Sequence, residues 1–147
     1  SAASDVYKRQ YYNNVAMLYQ DLGDFDKAVD SFEQALALIE RHDKAGNEIA
    51  IIYVSLGESL LRAGRLDEAK DRLAEAVRRY QLMGERGYHY SAALSAMAET
   101  FYRQGDLVQA LKYYELAAEE IYGIYGDNDT YRVIMGNIET VKSQLMN

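Results

Sequence analysis

Cysteine, proline and tryptophan are absent from this chain, and histidine occurs only as His42 and His89. Without cysteine there is no disulfide and no thiolate metal site, and two isolated histidines supply no close ligand pair, so no metal or cofactor is expected. The absence of cysteine also fits a reducing compartment, and a cytoplasmic location is expected. Without proline, only glycine punctuates the backbone ladder, and plentiful alanine, leucine, glutamate and glutamine favour helix nearly throughout. No window approaches the roughly 18 uninterrupted apolar residues of a membrane span. The start, SAASDVYKRQ, lacks the apolar middle of a secretion signal. Lysine and arginine number 16 against 23 aspartates and glutamates, a net charge of −7 with no basic run. That balance weighs against nucleic acid and anionic lipid, both of which need clustered cations, and favours neutral or basic protein segments as partners over acidic ones.

What is present is ordinary in amount, with 49% hydrophobic and 27% charged residues, and unusual in arrangement. The stretch Leu22 to Ala35, LGDFDKAVDSFEQA, returns as Ala63 to Ala76, AGRLDEAKDRLAEA, and again as Gln104 to Ala117, QGDLVQALKYYELA. Gly23, Gly64 and Gly105 are equivalent and stand 41 residues apart. A fixed period of this length marks stacked repeats that bury their apolar faces on one another. Each of these glycines follows an amphipathic run and suits the left-handed position just past a helix end. Asp24 then caps the next helix, and Asp26 sets negative charge beside that helix's positive end.

The first helix is expected from about Tyr7 to Leu22, with Tyr12, Val15, Ala16 and Tyr19 on one face. The second runs from about Phe25 to Arg41 and buries Phe25, Ala28, Val29, Phe32, Ala35, Leu36 and Ile39. A loop over His42 to Asn47 turns the chain back. Two further pairs follow the same plan, and a closing helix over about 130–146 covers the open end through Ile134, Ile138, Val141 and Leu145. The repeats are placed at about 9–49, 50–90 and 91–131, within one domain over 11–147. Residues 1–10 do not match the repeat and resemble translated adaptor sequence, so a non-native start to a fragment of a longer protein is expected. A frayed natural start to the first helix is the other reading.

The small residues Ala16, Gly57 and Ala98, each followed three positions later by Tyr19, Leu60 or Phe101, resemble the first-helix pattern of the tetratricopeptide repeat family. The triplets Ala28, Phe32, Ala35, then Ala69, Leu73, Ala76, then Ala110, Tyr114, Ala117 are similar to its second-helix pattern. The long period and the run NNVAMLYQDLGDFDKA resemble the kinesin light chain type of repeat and related bacterial versions. The family's proline after the second helix is missing, so longer helices are expected. The resemblance implies an all-α fold: a right-handed superhelical solenoid of antiparallel helix pairs, seven helices in all. Its concave face, lined by the first helix of each pair, would hold an extended peptide or a partner's helix.

Carried over position by position, the resemblance places Asn13, Asn14, Met17 and Gln20, flanked by Gln10 and Asp21, in that groove. From the second pair it places Val54, Glu58, Leu61 and Arg62, with Ile51 and Ser55. From the third it places Ser95, Glu99, Tyr102 and Arg103, with Ala92 and Ala96. Asn14 stands where kinesin light chain-like repeats carry an asparagine, whose amide both donates to and accepts from a peptide backbone. Glu58 with Arg62 and Glu99 with Arg103 have the spacing of helix-stabilising ion pairs. The basic clamp by which chaperone-binding relatives hold a terminal carboxylate is replaced by Asn13, Val54 and Ser95, so chaperone tails are not expected. Most of the fourteen tyrosines read as packing, with Tyr102 as an exposed contact. The leading expectation is a peptide- or protein-binding scaffold or adaptor, as such or as the sensor part of a larger regulator. The alternative is a structural module that forms homodimers or larger homo-oligomers through its first or last helices. No nucleophile–base pair or phosphate loop is present, and no enzyme is expected.

Overall fold

The computed structural model describes residues 1–42 and 46–147, with His42 described by its backbone only. Seven α-helices make up these residues: α1 (Ala2–Asp21), α2 (Phe25–His42), α3 (Gly46–Arg62), α4 (Leu66–Met83), α5 (Tyr88–Arg103), α6 (Leu107–Tyr125) and α7 (Asp129–Leu145). The first helix begins five residues earlier than its apolar pattern starts, because Ser1 caps it by accepting from the Ser4 N–H at 3.2 Å. Part of the turn expected over His42 to Asn47 falls on residues 43–45, which lie outside the described residues.

The periodic glycines close the first helix of every pair in the same way. Gly23, Gly64 and Gly105 have φ of 78, 79 and 85°, a left-handed conformation that a side chain resists. In each case the following residue donates its N–H five positions back along the turn: Asp24 to the Tyr19 carbonyl, Arg65 to that of Leu60 and Asp106 to that of Phe101, each at 2.9 Å. The glycine N–H closes the tighter turn, three positions back, on the carbonyls of Gln20, Leu61 and Tyr102 respectively, which completes a Schellman motif. The next helix starts at once, capped by Asp24 in α2 and Asp106 in α6. Arg65 stands at that position in α4 and gives no side-chain cap; its guanidinium pairs instead with Glu68 and Asp26. Gly84 ends α4 with the same left-handed closure, in the place where a proline would otherwise force a stop.

Each helix packs on its neighbour in sequence, and α3 also touches α5. The small residues permit the close approach within pairs: Ala16, Ala98, Ala28, Ala35, Ala69, Ala76, Ala110 and Ala117 are fully buried. The large partners Phe32, Leu60 and Leu73 fill the space between them. One continuous apolar core thus runs from Ala16 in α1 to Val141 in α7. At its far end Asn128 caps α7 by accepting from the Tyr131 N–H, and its amide donates to the Tyr88 hydroxyl at 2.8 Å. The rings of Tyr88 and Tyr125 stack with centroids 4.4 Å apart and join α5 to α6, and the tilted rings of Tyr122 and Tyr131, 5.1 Å apart, hold α7 beside α6. The tyrosines expected to pack therefore do so largely through one another, with Tyr122 and Tyr125 half in solvent.

Candidate functional site

The first helices of the second and third pairs, α3 and α5, stand side by side, and α7 closes the row. Between the three lies a cleft of about 450 Å³. Its apolar wall comes from Leu61 of α3, Ala92 and Ala96 of α5, and Val133 and Ile134 of α7. Glu58, Arg62, Ser95, Glu99 and Asn137 bring polar groups to the same surface, with Tyr88 and His89 at the start of α5. Small residues on α5 make the hollow: bulkier side chains at 92 and 96 would fill it. Tyr114 of α6 also lines the cleft, and burial pushes the pKa of its hydroxyl up to about 12.

The two acid–base pairs expected along the helices behave differently. Arg103 binds Glu99 at 2.6 Å and also donates to the Leu61 carbonyl at 3.2 Å, so it ties α5 to the end of α3. Reversing its charge would loosen that junction as well as alter the cleft. Arg62 forms no ion pair with Glu58 and lies over the Phe25 ring, 6.0 Å from its centroid. Glu58 consequently has neither a hydrogen bond nor an ion pair among the described residues. Burial raises its pKa, an effect opposed by the charge of Arg62 and reinforced by that of Glu99.

The remaining expected positions scatter. Gln20 donates to Ser59 Oγ at 2.8 Å and to the Ser55 carbonyl at 3.4 Å, bridging α1 to α3. Asn13 lies with Gln10 and Ile51 in a second hollow of about 310 Å³ that also includes Arg9 and Glu48. Met17, Asn14 and Asp21 are exposed on α1 and line neither hollow. Val54 is buried in the core. Tyr102 is half-buried rather than exposed, and its hydroxyl accepts from Gln144 of α7 at 2.6 Å. The structure thus gathers Glu58, Leu61, Arg62, Ser95 and Glu99 with Ala92 and Ala96, and adds α7, which reading the first helices alone had left out. The i, i+3, i+4 run of Thr130, Val133, Ile134 and Asn137 was the signal available for it.

A hollow of about 510 Å³ lies between α5, α6 and the connection from α4. Two of its charges are already joined: buried Glu120 accepts from Arg86 at 2.8 Å and from the Gly87 N–H at 3.0 Å, pinning that connection to α6. Among the described residues no group of three or more His, Cys, Asp or Glu could hold a metal ion, and no helix is long and apolar enough to cross a membrane.

A segment of 67 residues is 33% identical to the photosystem I assembly protein Ycf3 of Cyanophora paradoxa, covering 45% of this chain and 39% of that protein. The chain therefore matches about two fifths of the length of that relative. Among solved structures, a TPR-like protein from Chlorobium tepidum superimposes with a TM-score of 0.83 at 18% identity and covers 99% of both chains. The TPR2AB domain of yeast Sti1, in a complex with pHSP90, superimposes with a TM-score of 0.73 at 16% identity, over 94% of this chain and 47% of that one. The sequence profile described as tetratricopeptide repeat matches residues 7–82 and 48–119. With its helix pairs, their 41-residue step and that match in agreement, the chain belongs to the tetratricopeptide repeat family.

Proposed function

We propose that this chain is a protein-interaction scaffold that holds an extended segment of another protein in the cleft between α3, α5 and α7. The observation that carries the reading is the composition of that cleft: polar and apolar side chains alternate on three rigid helices around about 450 Å³ of open space. Helix-borne groups are held in place before binding, so little ordering opposes the capture of a peptide. The pHSP90 complex of the Sti1 domain supports the same use of a related fold. Val133, 65% exposed on the cleft wall, is the place to test it, because a larger side chain there fills the hollow without entering the core. Val133→Trp is expected to abolish binding of dodecapeptides retained by the native protein on an immobilised array, with helix content unchanged. Retention of the same peptides by the variant would remove the cleft from the binding site.

A second reading is favoured by the outer face of α1. Tyr11 and Leu18 are 63% and 56% exposed, whereas their counterparts one and two repeats on, Ile52 and Ala93, Ser59 and Thr100, are buried against the preceding pair. This face is the stacking surface of the solenoid left open, and a second copy of the chain would cover it. Self-association through α1 predicts sedimentation that rises with concentration and is abolished by Tyr11→Glu with Leu18→Glu. A monomer at high concentration would exclude it.

A further inference from the structure

The cleft offers a guest one carboxyl that makes no hydrogen bond or ion pair among the described residues. Glu99 is committed to Arg103, and Arg62 lies over the Phe25 ring, which leaves the Glu58 carboxyl facing the hollow with no hydrogen bond or ion pair among the described residues. The lining charges are Glu58 and Glu99 against Arg62, with exposed His89 at the mouth, and the chain as a whole carries −7. A guest carboxylate would bring a third negative group beside the first two. A guest cation would instead form charge-assisted hydrogen bonds in a partly desolvated place, where they are strongest. The apolar wall suits the same guest, since Lys and Arg lay their methylene stems on apolar surface while the charged head seeks a polar partner.

We propose that the cleft selects an extended peptide by one lysine or arginine, whose charged head docks on the Glu58 carboxyl while its stem lies along Leu61, Ala96 and Val133. This rests on the peptide-binding reading and narrows it to a segment with a basic anchor. The anchor's burial against small α5 residues sets specificity, and the protein's net negative charge speeds encounter with a basic segment.

The test is a positional-scanning library of acetylated, amidated dodecapeptides, followed by fluorescence titration of the strongest binders against native protein and Glu58→Gln. Among the described residues Glu58 makes no hydrogen bond that the amide would break, so the variant is expected to fold. Lysine or arginine should dominate one position, and replacing it by norleucine, which keeps the stem and removes the charge, should weaken binding roughly tenfold. In Glu58→Gln that difference should vanish. Peptides that bind native protein, are lost with Val133→Trp and show no basic preference would overturn this inference and leave the scaffold reading standing. A lysine preference that survives Glu58→Gln would overturn it equally. A library with no binder at all would overturn both.

Discussion

Gly57 shows how narrowly some single positions are set. A Cβ built there would lie 2.5 Å from both Cγ and Cδ2 of Leu73, a side chain with no exposed surface into which to retreat. Helix propensity alone predicts that Gly57→Ala stabilises by about 1 kcal/mol. Overpacking of about 1–3 kcal/mol opposes it and should win, because the clash is with the branch point of Leu73 rather than a mobile tip. Gly136, in α7 with nothing within 4 Å, isolates the propensity term. Gly136→Ala is expected to raise the urea midpoint and Gly57→Ala to lower it; a rise in both would show that α3 and α4 can move apart. The need for a small residue at 57 was legible in the sequence, since Ala16 and Ala98 occupy the equivalent places. The burial of Val54 and the use of Arg103 on the Leu61 carbonyl were not. Both arise from the approach of one pair to the next, which the periodicity of a single helix does not encode.

Among the elements, the connection from α4 to α5 depends on a residue that no pattern marked. Glu120 sits on α6 within a run of apolar and aromatic residues, yet its carboxylate is buried and holds both Arg86 and the N–H of Gly87. Gly87 has φ of 127°, a conformation open to glycine and maintained here by that hydrogen bond. Glu120→Ala leaves the Gly87 N–H unsatisfied and is expected to cost about 1–3 kcal/mol, while Glu120→Gln keeps an acceptor and should cost about half as much. Equal midpoints for the two variants in urea would mean that only the charge matters. The helix ends, by contrast, were readable because their chemistry is local: Gly23, Gly64 and Gly105 each close a turn with residues no more than five positions away. Where local chemistry fails, as at Arg65, an ion pair across to Asp26 of the preceding pair takes over.

At the scale of the whole molecule, three helix pairs and a closing helix share one core, so stability is built from nearest-neighbour contacts along the stack. The cleft is a product of that stacking. Glu58, Leu61, Ser95 and Glu99 come together only because α3 and α5 lie side by side, and α7 supplies the third wall through Val133 and Asn137. The repeat predicted the first two walls, since they are the same helix twice. It did not predict the third, because Glu139 stands in α7 where the first helices carry Ala16, Gly57 and Ala98. Nor did it predict that Gln20 would turn from the groove to bridge α1 and α3.

Methyl-resolved NMR during titration with a peptide chosen from the array tests the account most directly. Shifts confined to Leu61, Ala92, Ala96, Val133 and Ile134 are the predicted result. Shifts at Leu116 and Ile124, in the hollow between α5 and α6, with the cleft methyl groups unmoved would contradict it.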